Sequence, residues 1–238
     1  MNVGLPLKIA SWTVTLLVPI VLVLTAVRVL LTPAFVFIEY NTPGFPSDPY
    51  GFSKDDRLNY ANIALDYLLN DEDISFLANL SFPDGQTAPP QSCQAMDDCS
   101  RLYNNRELQH MLDVKNVVQG ALRTWVVAIV LIAVLGLMSW RLDWMGSFRF
   151  ALGRGGWLTV ILLGGIILFV LLAFGVIFVA FHEVFFDPGT WTFYYSDTLI
   201  RLFPERFWRD TFIAVGVLAG LPGFLFGRFF QRNGNRET

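Results

Sequence analysis

Four blocks of nearly unbroken apolar sequence, at roughly residues 10–31, 124–140, 157–181 and 211–227, constrain this chain more than any other feature. About 20 apolar residues in helical form cross a hydrocarbon core. Backbone at that depth finds no water, so a helix, which satisfies its own donors and acceptors, is the conformation left open. The second and fourth blocks are short, and interfacial residues extend them. A soluble domain would scatter its apolar residues at the period of a helix or a strand. Here 54% of 238 residues are hydrophobic, and they are gathered into runs. The expected fold class is an all-α polytopic membrane protein, with four transmembrane helices and a mainly helical extracytoplasmic domain between the first and the second.

The first run, Ile9 to Leu31, exceeds the 7–15 apolar residues of a secretory signal, and Leu31-Thr32-Pro33-Ala34 is a poor cleavage motif, so it reads as a retained anchor. Pro19 within it is expected to kink the helix. Arg141, Arg149 and Arg154 sit between blocks two and three, and Arg228, Arg232 and Arg236 follow block four, with Lys8 at the N-terminus. Basic residues mark the cytoplasmic side. The expected order is a first transmembrane helix over 1–32, an extracytoplasmic domain over 33–118 and a second transmembrane helix over 119–140. A cytoplasmic loop over 141–156 leads to the third helix over 157–181. An extracytoplasmic loop over 182–209, the fourth helix over 210–230 and a cytoplasmic tail over 231–238 complete it. Trp125, Trp191, Trp208, Tyr194 and Tyr195 suit the lipid interface.

Formal net charge is −3, but residues 33–118 hold 13 acidic against 5 basic side chains, a net of −8. That balance disfavours nucleic acid or an anionic membrane surface as the partner of this segment. Within it, 38–52 reads as a loop from its prolines and glycines. Ser53 with Asp56 makes a capping-box pattern ahead of an apolar stripe, which predicts a helix over 54–69. A second short helix is expected over 71–80, then a turn-rich excursion over 81–100. Residues 101–122 carry no proline and predict one long helix running into span two. Asp187-Pro188-Gly189 signals a turn in the later loop, and Pro204 opens another. Cys93 and Cys99, the only cysteines, are most simply a structural disulfide outside the membrane. A redox pair would favour closer C-x-x-C spacing.

The two histidines of the chain, His110 and His182, flank spans two and three on the same expected face. Arg106, Glu107 and Asp113 lie three or four residues from His110, within reach of it along a helix. A solvated charge network and a snorkelling interfacial histidine are the bland accounts of the two sites. Their common position at the edge of the bilayer, where unpaired polar groups become costly, favours chemistry. Two classes fit. In one, a histidine takes a proton while a carboxylate holds its other nitrogen, and the second histidine donates a proton or stabilises an oxyanion. In the other, both histidines and Glu107 or Asp113 bind zinc, although H-E-x-x-H is missing. No G-x-S-x-G surrounds Ser196.

The run Arg106-Glu107-Leu108-Gln109-His110-Met111-Leu112-Asp113-Val114-Lys115 before a span, and Phe181-His182-Glu183-Val184-Phe185-Phe186 after another, resemble the DUF1461 family of integral membrane proteins, which includes the lipoprotein intramolecular transacylases. The likeness covers nearly the whole chain; the Cys93/Cys99 insertion is a departure from the family pattern. It implies a metal-independent acyltransferase without cofactor. The reaction moves the sn-2 acyl chain of an S-diacylglyceryl cysteine to its own α-amino group, giving an N-acyl, lyso-form lipoprotein. It also implies diacylglyceryl-modified bacterial lipoproteins and membrane lipids as partners. The expected setting is a multi-pass monomer of the bacterial cytoplasmic membrane, with the active site facing outward and both termini inside. His110 is assigned as general base, held by Asp113 or Glu107, and His182 as proton donor or oxyanion stabiliser, with the roles exchangeable. Arg106, Lys115, Tyr103, Asn104, Tyr194 and Tyr195 are candidate substrate-binding residues. A zinc hydrolase and a non-catalytic membrane scaffold or lipid-binding protein remain the alternatives.

Overall fold

A computed structural model describes residues 4–234, with side chains through 230. The tail expected at 231–238, with Arg232 and Arg236, lies outside the described residues apart from the helical backbone of 231–234. Among the described residues four helices are long and apolar enough to cross a membrane: α1 (Leu5–Leu30), α6 (Asn105–Arg141), α7 (Met145–Phe185) and α9 (Glu205–Gly234, apolar enough through Phe230). Between and beside them lie α2 (Pro33–Asn41), α3 (Lys54–Leu69), α4 (Ser75–Ala78), α5 (Pro90–Cys93) and α8 (Thr198–Leu202). Among the described residues the only β pairing is an isolated antiparallel bridge between Ser81 and Arg101.

The chain divides into two compact units. The first comprises residues through Val29, Ala121–Leu172 and Phe212 onward. Its core gathers Val14, Val18, Trp144, Phe148 and Ala151. Lipid offers helices no hydrophobic reason to associate, so close contact depends on small side chains. A Cβ on Gly156 would lie 2.4 Å from the Gly223 carbonyl oxygen, so glycine permits that backbone contact between α7 and α9. Arg154 Nη2 donates to Ser11 Oγ at 2.8 Å and Thr15 Oγ1 at 3.1 Å and its guanidinium lies over the Trp12 ring, while its buried Nε has no acceptor among the described residues.

Residues expected as the loop 141–156 are mostly helix. Asp143, at φ 55, makes the tight turn, and α7 starts at Met145 because Trp144 and Phe148 bury against Val14 and Val18. The proline in α1 leaves that helix continuous from Leu5 to Leu30. The one non-helical residue within a long helix is Ala173 of α7, at φ −152 and ψ 55.

The second unit comprises Leu30–Gly120 and Ala173–Thr211. Helix α3 starts where the capping box places it: Ser53 Oγ accepts from Asp56 N–H, and Asp56 accepts from Ser53 N–H at 2.9 Å. Residues 38–41, expected as loop, close α2, whose Val36 and Tyr40 bury against Ala61, Leu65 and Phe207. The helix expected over 71–80 contracts to α4. The excursion 81–100 is closed at its neck, where Phe82 N–H donates to the Ser100 carbonyl and Leu102 N–H to the Leu80 carbonyl. Pairing of this neck also delays the start of α6 to Asn105. Cys93 and Cys99 are bonded within the excursion, their Cα atoms 5.1 Å apart.

Asp48 organises the stretch before α3. It accepts from the Tyr50 and Phe52 amides and, bidentately, from Arg201 Nε at 3.1 Å and Nη2 at 3.0 Å. Both side chains are essentially inaccessible, so the pair is fully desolvated and its hydrogen bonds must offset that cost. Arg57 extends the network by donating to the carbonyls of Arg201 and Pro46.

Glu39 is another buried acid of this unit. Burial first, and then the Asp210 carboxylate, push its pKa up to about 7, against the pull of Arg206 and Arg209. A raised carboxyl pKa means that stability is complete below the unfolded value, near 4.5, and is lost as pH climbs through about 7. Glu39→Gln is therefore expected to raise the melting temperature at pH 8 and to flatten its decline between those limits. After solvent screening the gain is about 1–2 kcal/mol. Thermal unfolding in detergent across that pH range checks it, and an unaltered profile would contradict it.

Candidate functional site

Helix α6 begins on a reciprocal cap. Asn104 Oδ1 accepts from Glu107 N–H at 3.0 Å, and Glu107 Oε2 accepts from Asn104 N–H at 2.9 Å. This is the capping-box solution to the unpaired first amides of a helix. The other Glu107 oxygen accepts from Leu199 N–H at 2.7 Å, in the first turn of α8. Thr198 Oγ1 donates to the Leu102 carbonyl beside it. Glu107 is 1% exposed, and its carboxyl thus joins two helix N-termini through backbone amides.

One turn on, His110 reaches a nest of aromatic rings. Its ring centroid lies 6.0 Å from that of His182, with the planes 20° apart. Phe186 stands 4.8 Å and Phe193 5.3 Å from His110. His182 is packed by Phe178 at 4.1 Å, Trp191 at 4.9 Å and Phe181 at 5.6 Å. Both histidines are only 8% exposed. His182 Nδ1 is 2.7 Å from the Phe178 carbonyl, the i−4 position of its own helix. A carbonyl only accepts, so this contact places the proton on Nδ1 and leaves Nε2 with the lone pair in the neutral ring. His110 Nδ1 is buried without a hydrogen-bond partner.

The other expected site residues divide. Arg106 Nη1 donates to the Thr192 carbonyl at 3.1 Å, fastening the segment that carries Trp191 and Phe193. Asp113 accepts from Gln109 Nε2 at 3.0 Å on the same helix. Lys115 donates to Asn70 Oδ1 and the Glu72 carbonyl and lies 4.1 Å from the Tyr67 ring centre, so it closes the end of α3. Tyr103 is buried in the apolar cluster with Phe52, Leu77 and Leu202. Burial, then Glu107, holds its phenol well above the usual range, so it stays neutral. Tyr194 and Tyr195 are exposed. The structure thus brings His110 and His182 together, with Arg106 and Glu107 fixing the frame around them; Asn104 acts as a cap.

Sequence reasoning overlooked Phe178, Phe186, Trp191 and Phe193 as walls of the site. The aromatic density of 178–195 was the available signal, and it reads equally well as an interfacial belt. It also overlooked the Asp48–Arg201 pair, whose members are too distant in sequence for any motif. Among the described residues no three His, Cys, Asp or Glu side chains assemble as a metal-binding group.

Four long apolar helices, with two facing histidines in an aromatic nest, define a multi-pass membrane protein with a candidate acid/base site. The family model of the lipoprotein intramolecular transacylase Lit matches residues 12–208, and the chain belongs to that family. An uncharacterized protein of Aquifex aeolicus (strain VF5) is 30% identical over 221 residues, covering 92% of this chain and 91% of the relative. The in meso structure of the Bacillus cereus membrane integral lipoprotein intramolecular transacylase Lit is 18% identical. It superposes with a TM-score of 0.63, over 98% of this chain and 97% of that one. A variant of that protein with one histidine replaced by alanine gives a TM-score of 0.67 at 16% identity, over 98% and 96%. At these identities the likeness establishes a shared fold. Membership makes the chain an acyltransferase-type membrane protein of a lipoprotein-acting family.

Removing the Glu107 carboxyl strands two amides. Glu107→Ala is expected to lower stability by about 2–4 kcal/mol, since buried unpaired donors cost about 1–3 kcal/mol each. Glu107→Gln, which keeps one acceptor, should fall between that variant and the wild type. Melting temperatures in detergent check the order, and an alanine variant as stable as wild type would contradict it.

Proposed function

We propose that this chain moves the sn-2 acyl chain of an S-diacylglyceryl cysteine onto that cysteine's α-amino group, leaving an N-acylated lyso-form lipoprotein. The carrying observation is the close approach of His110 and His182, whose ring centroids lie 6.0 Å apart inside an apolar surround. Family membership supplies the reaction class.

The α-amine, with a pKa near ~8, reacts in its neutral form after its ammonium proton has passed to solvent, and a base is needed for the proton that nitrogen sheds once it has added to the carbonyl. His182, its Nδ1 proton directed at the Phe178 carbonyl, offers Nε2 as that base, which exchanges the roles expected from sequence. The amine nitrogen adds to the ester carbonyl carbon and loses a proton to Nε2. As the carbon–oxygen bond to glycerol breaks, the same proton returns to the sn-2 oxygen, with His110 hydrogen-bonded to that departing oxygen. Both reactants belong to one molecule, so little translational entropy is lost in reaching the transition state. Phe178, Phe186, Trp191 and Phe193 exclude the water that would divert the ester to hydrolysis. A zinc hydrolase would require a third ligand, yet Glu107 accepts from backbone amides and Asp113 from Gln109.

Incubation of the purified protein with a synthetic diacylglyceryl lipopeptide should yield a product of unchanged mass whose fragments carry one acyl chain on nitrogen. His110→Ala and His182→Ala should each reduce the rate by at least ~10²-fold while folded protein accumulates. Release of free fatty acid would indicate a hydrolase instead, and full activity in both variants would leave a scaffold.

A further inference from the structure

Two buried side-chain atoms beside the histidine pair make no hydrogen bond: His110 Nδ1 and Trp191 Nε1. The indole nitrogen is the informative one. It carries a hydrogen and has no lone pair to offer, so it can only donate. A buried donor left unbonded costs about 1–3 kcal/mol, and a phenylalanine would fill an aromatic wall without that cost. The chain does use phenylalanine at 178, 186 and 193, the other walls of the nest. Only here does the wall carry a polar hydrogen.

Trp191 is also held in place. Its ring centroid lies 4.9 Å from that of His182, with the planes inclined by 36°. The next residue, Thr192, is gripped through its carbonyl by Arg106, and the one after, Phe193, packs on His110. Asp197 accepts from Tyr194 N–H at 2.9 Å, and Ser196 Oγ is bonded to Ser92 Oγ at 2.8 Å. Fixed dipoles that need no reorganisation are what an oxyanion site requires.

We propose that Trp191 is a catalytic residue, whose indole N–H donates to the carbonyl oxygen of the ester being transferred and holds the oxyanion of the tetrahedral intermediate. The inference rests on the transacylase reading and deepens it. When the amine nitrogen forms its bond to the carbonyl carbon, the carbonyl π pair moves to oxygen, where Trp191 meets it. When that pair returns, the carbon–oxygen bond to glycerol breaks and His182 delivers the proton it took from nitrogen to the glycerol oxygen. No oxidant, reductant or further reactant takes part. The assignment divides labour cleanly: His182 moves the proton, His110 bonds the leaving oxygen, and Trp191 bears the developing charge.

The test compares the full-length wild type, Trp191→Phe and a protein with 3-benzothienylalanine at 191, whose sulfur replaces the N–H within a ring of nearly the same shape. Each is assayed on one synthetic diacylglyceryl lipopeptide, with melting temperatures measured alongside. Loss of the donor should lower kcat by about 10²–10³-fold while KM and melting temperature stay near wild type. Should Trp191→Phe fail to fold, the benzothienyl protein decides by the same criterion. A kcat within about threefold of wild type, or a rise in KM alone, overturns the proposal and leaves Trp191 as packing. If the wild type itself moves no acyl chain to nitrogen, the transacylase reading fails and this assignment with it. An active wild type beside an equally active donorless variant removes only the assignment.

Discussion

The carboxyl group of Glu107 anchors the helix start that carries His110. It accepts from the Asn104 amide and the Leu199 amide, so it fixes the start of α6 against the start of α8. His110 is one turn from the first of these contacts. Residues 191–197 are drawn in by Arg106 on Thr192, by Ser92 on Ser196 and by Thr198 on Leu102. A buried carboxyl is an expensive strut, and it is tolerated because backbone amides satisfy both of its oxygens. Asp48 repeats this logic with Arg201 and two amides, and the Arg201 backbone carbonyl accepts from Arg57. Glu107 and Asp48 thus each tie together segments distant in sequence.

Against that frame the histidine site is unusual in being polar atoms enclosed by hydrocarbon. Phenylalanine rings and one indole surround both imidazoles. Low dielectric strengthens each remaining hydrogen bond and makes each unsatisfied atom costly. His182 has a fixed partner at Nδ1, whereas His110 Nδ1 and Trp191 Nε1 have none. The arrangement favours a substrate that brings its own acceptors and leaving oxygen into an apolar space, as an acyl ester at a membrane boundary does.

Much of this was legible in the residues. The apolar runs set four spanning helices because hydropathy over about 20 residues outweighs local propensity. Ser53 and Asp56 fixed the start of α3, since a cap is a local matter. The scarcity of histidine, with both copies beside spans, brought His110 and His182 forward as a pair. What sequence obscured was tertiary. Residues 145–156 read as a basic loop, yet Trp144 and Phe148 find partners on α1 and the helix extends. Glu107 and Asp113 look alike at helical spacing from His110, but one cements α8 and the other accepts from its neighbour Gln109. Lys115 reads from sequence as a substrate-binding candidate and is occupied at the end of α3. Helical spacing identifies which residues can meet, while the partner each one finds depends on segments far along the chain.

The central claim is that one lipid-modified cysteine reacts at the two imidazoles. A structure of the protein with a non-transferable analogue, its sn-2 ester replaced by an ether, tests it most directly. The account predicts the α-amine within about 3.5 Å of His182 Nε2 and the sn-2 oxygen at the same range from His110. An analogue bound elsewhere, with both histidines facing only their aromatic neighbours, would contradict it.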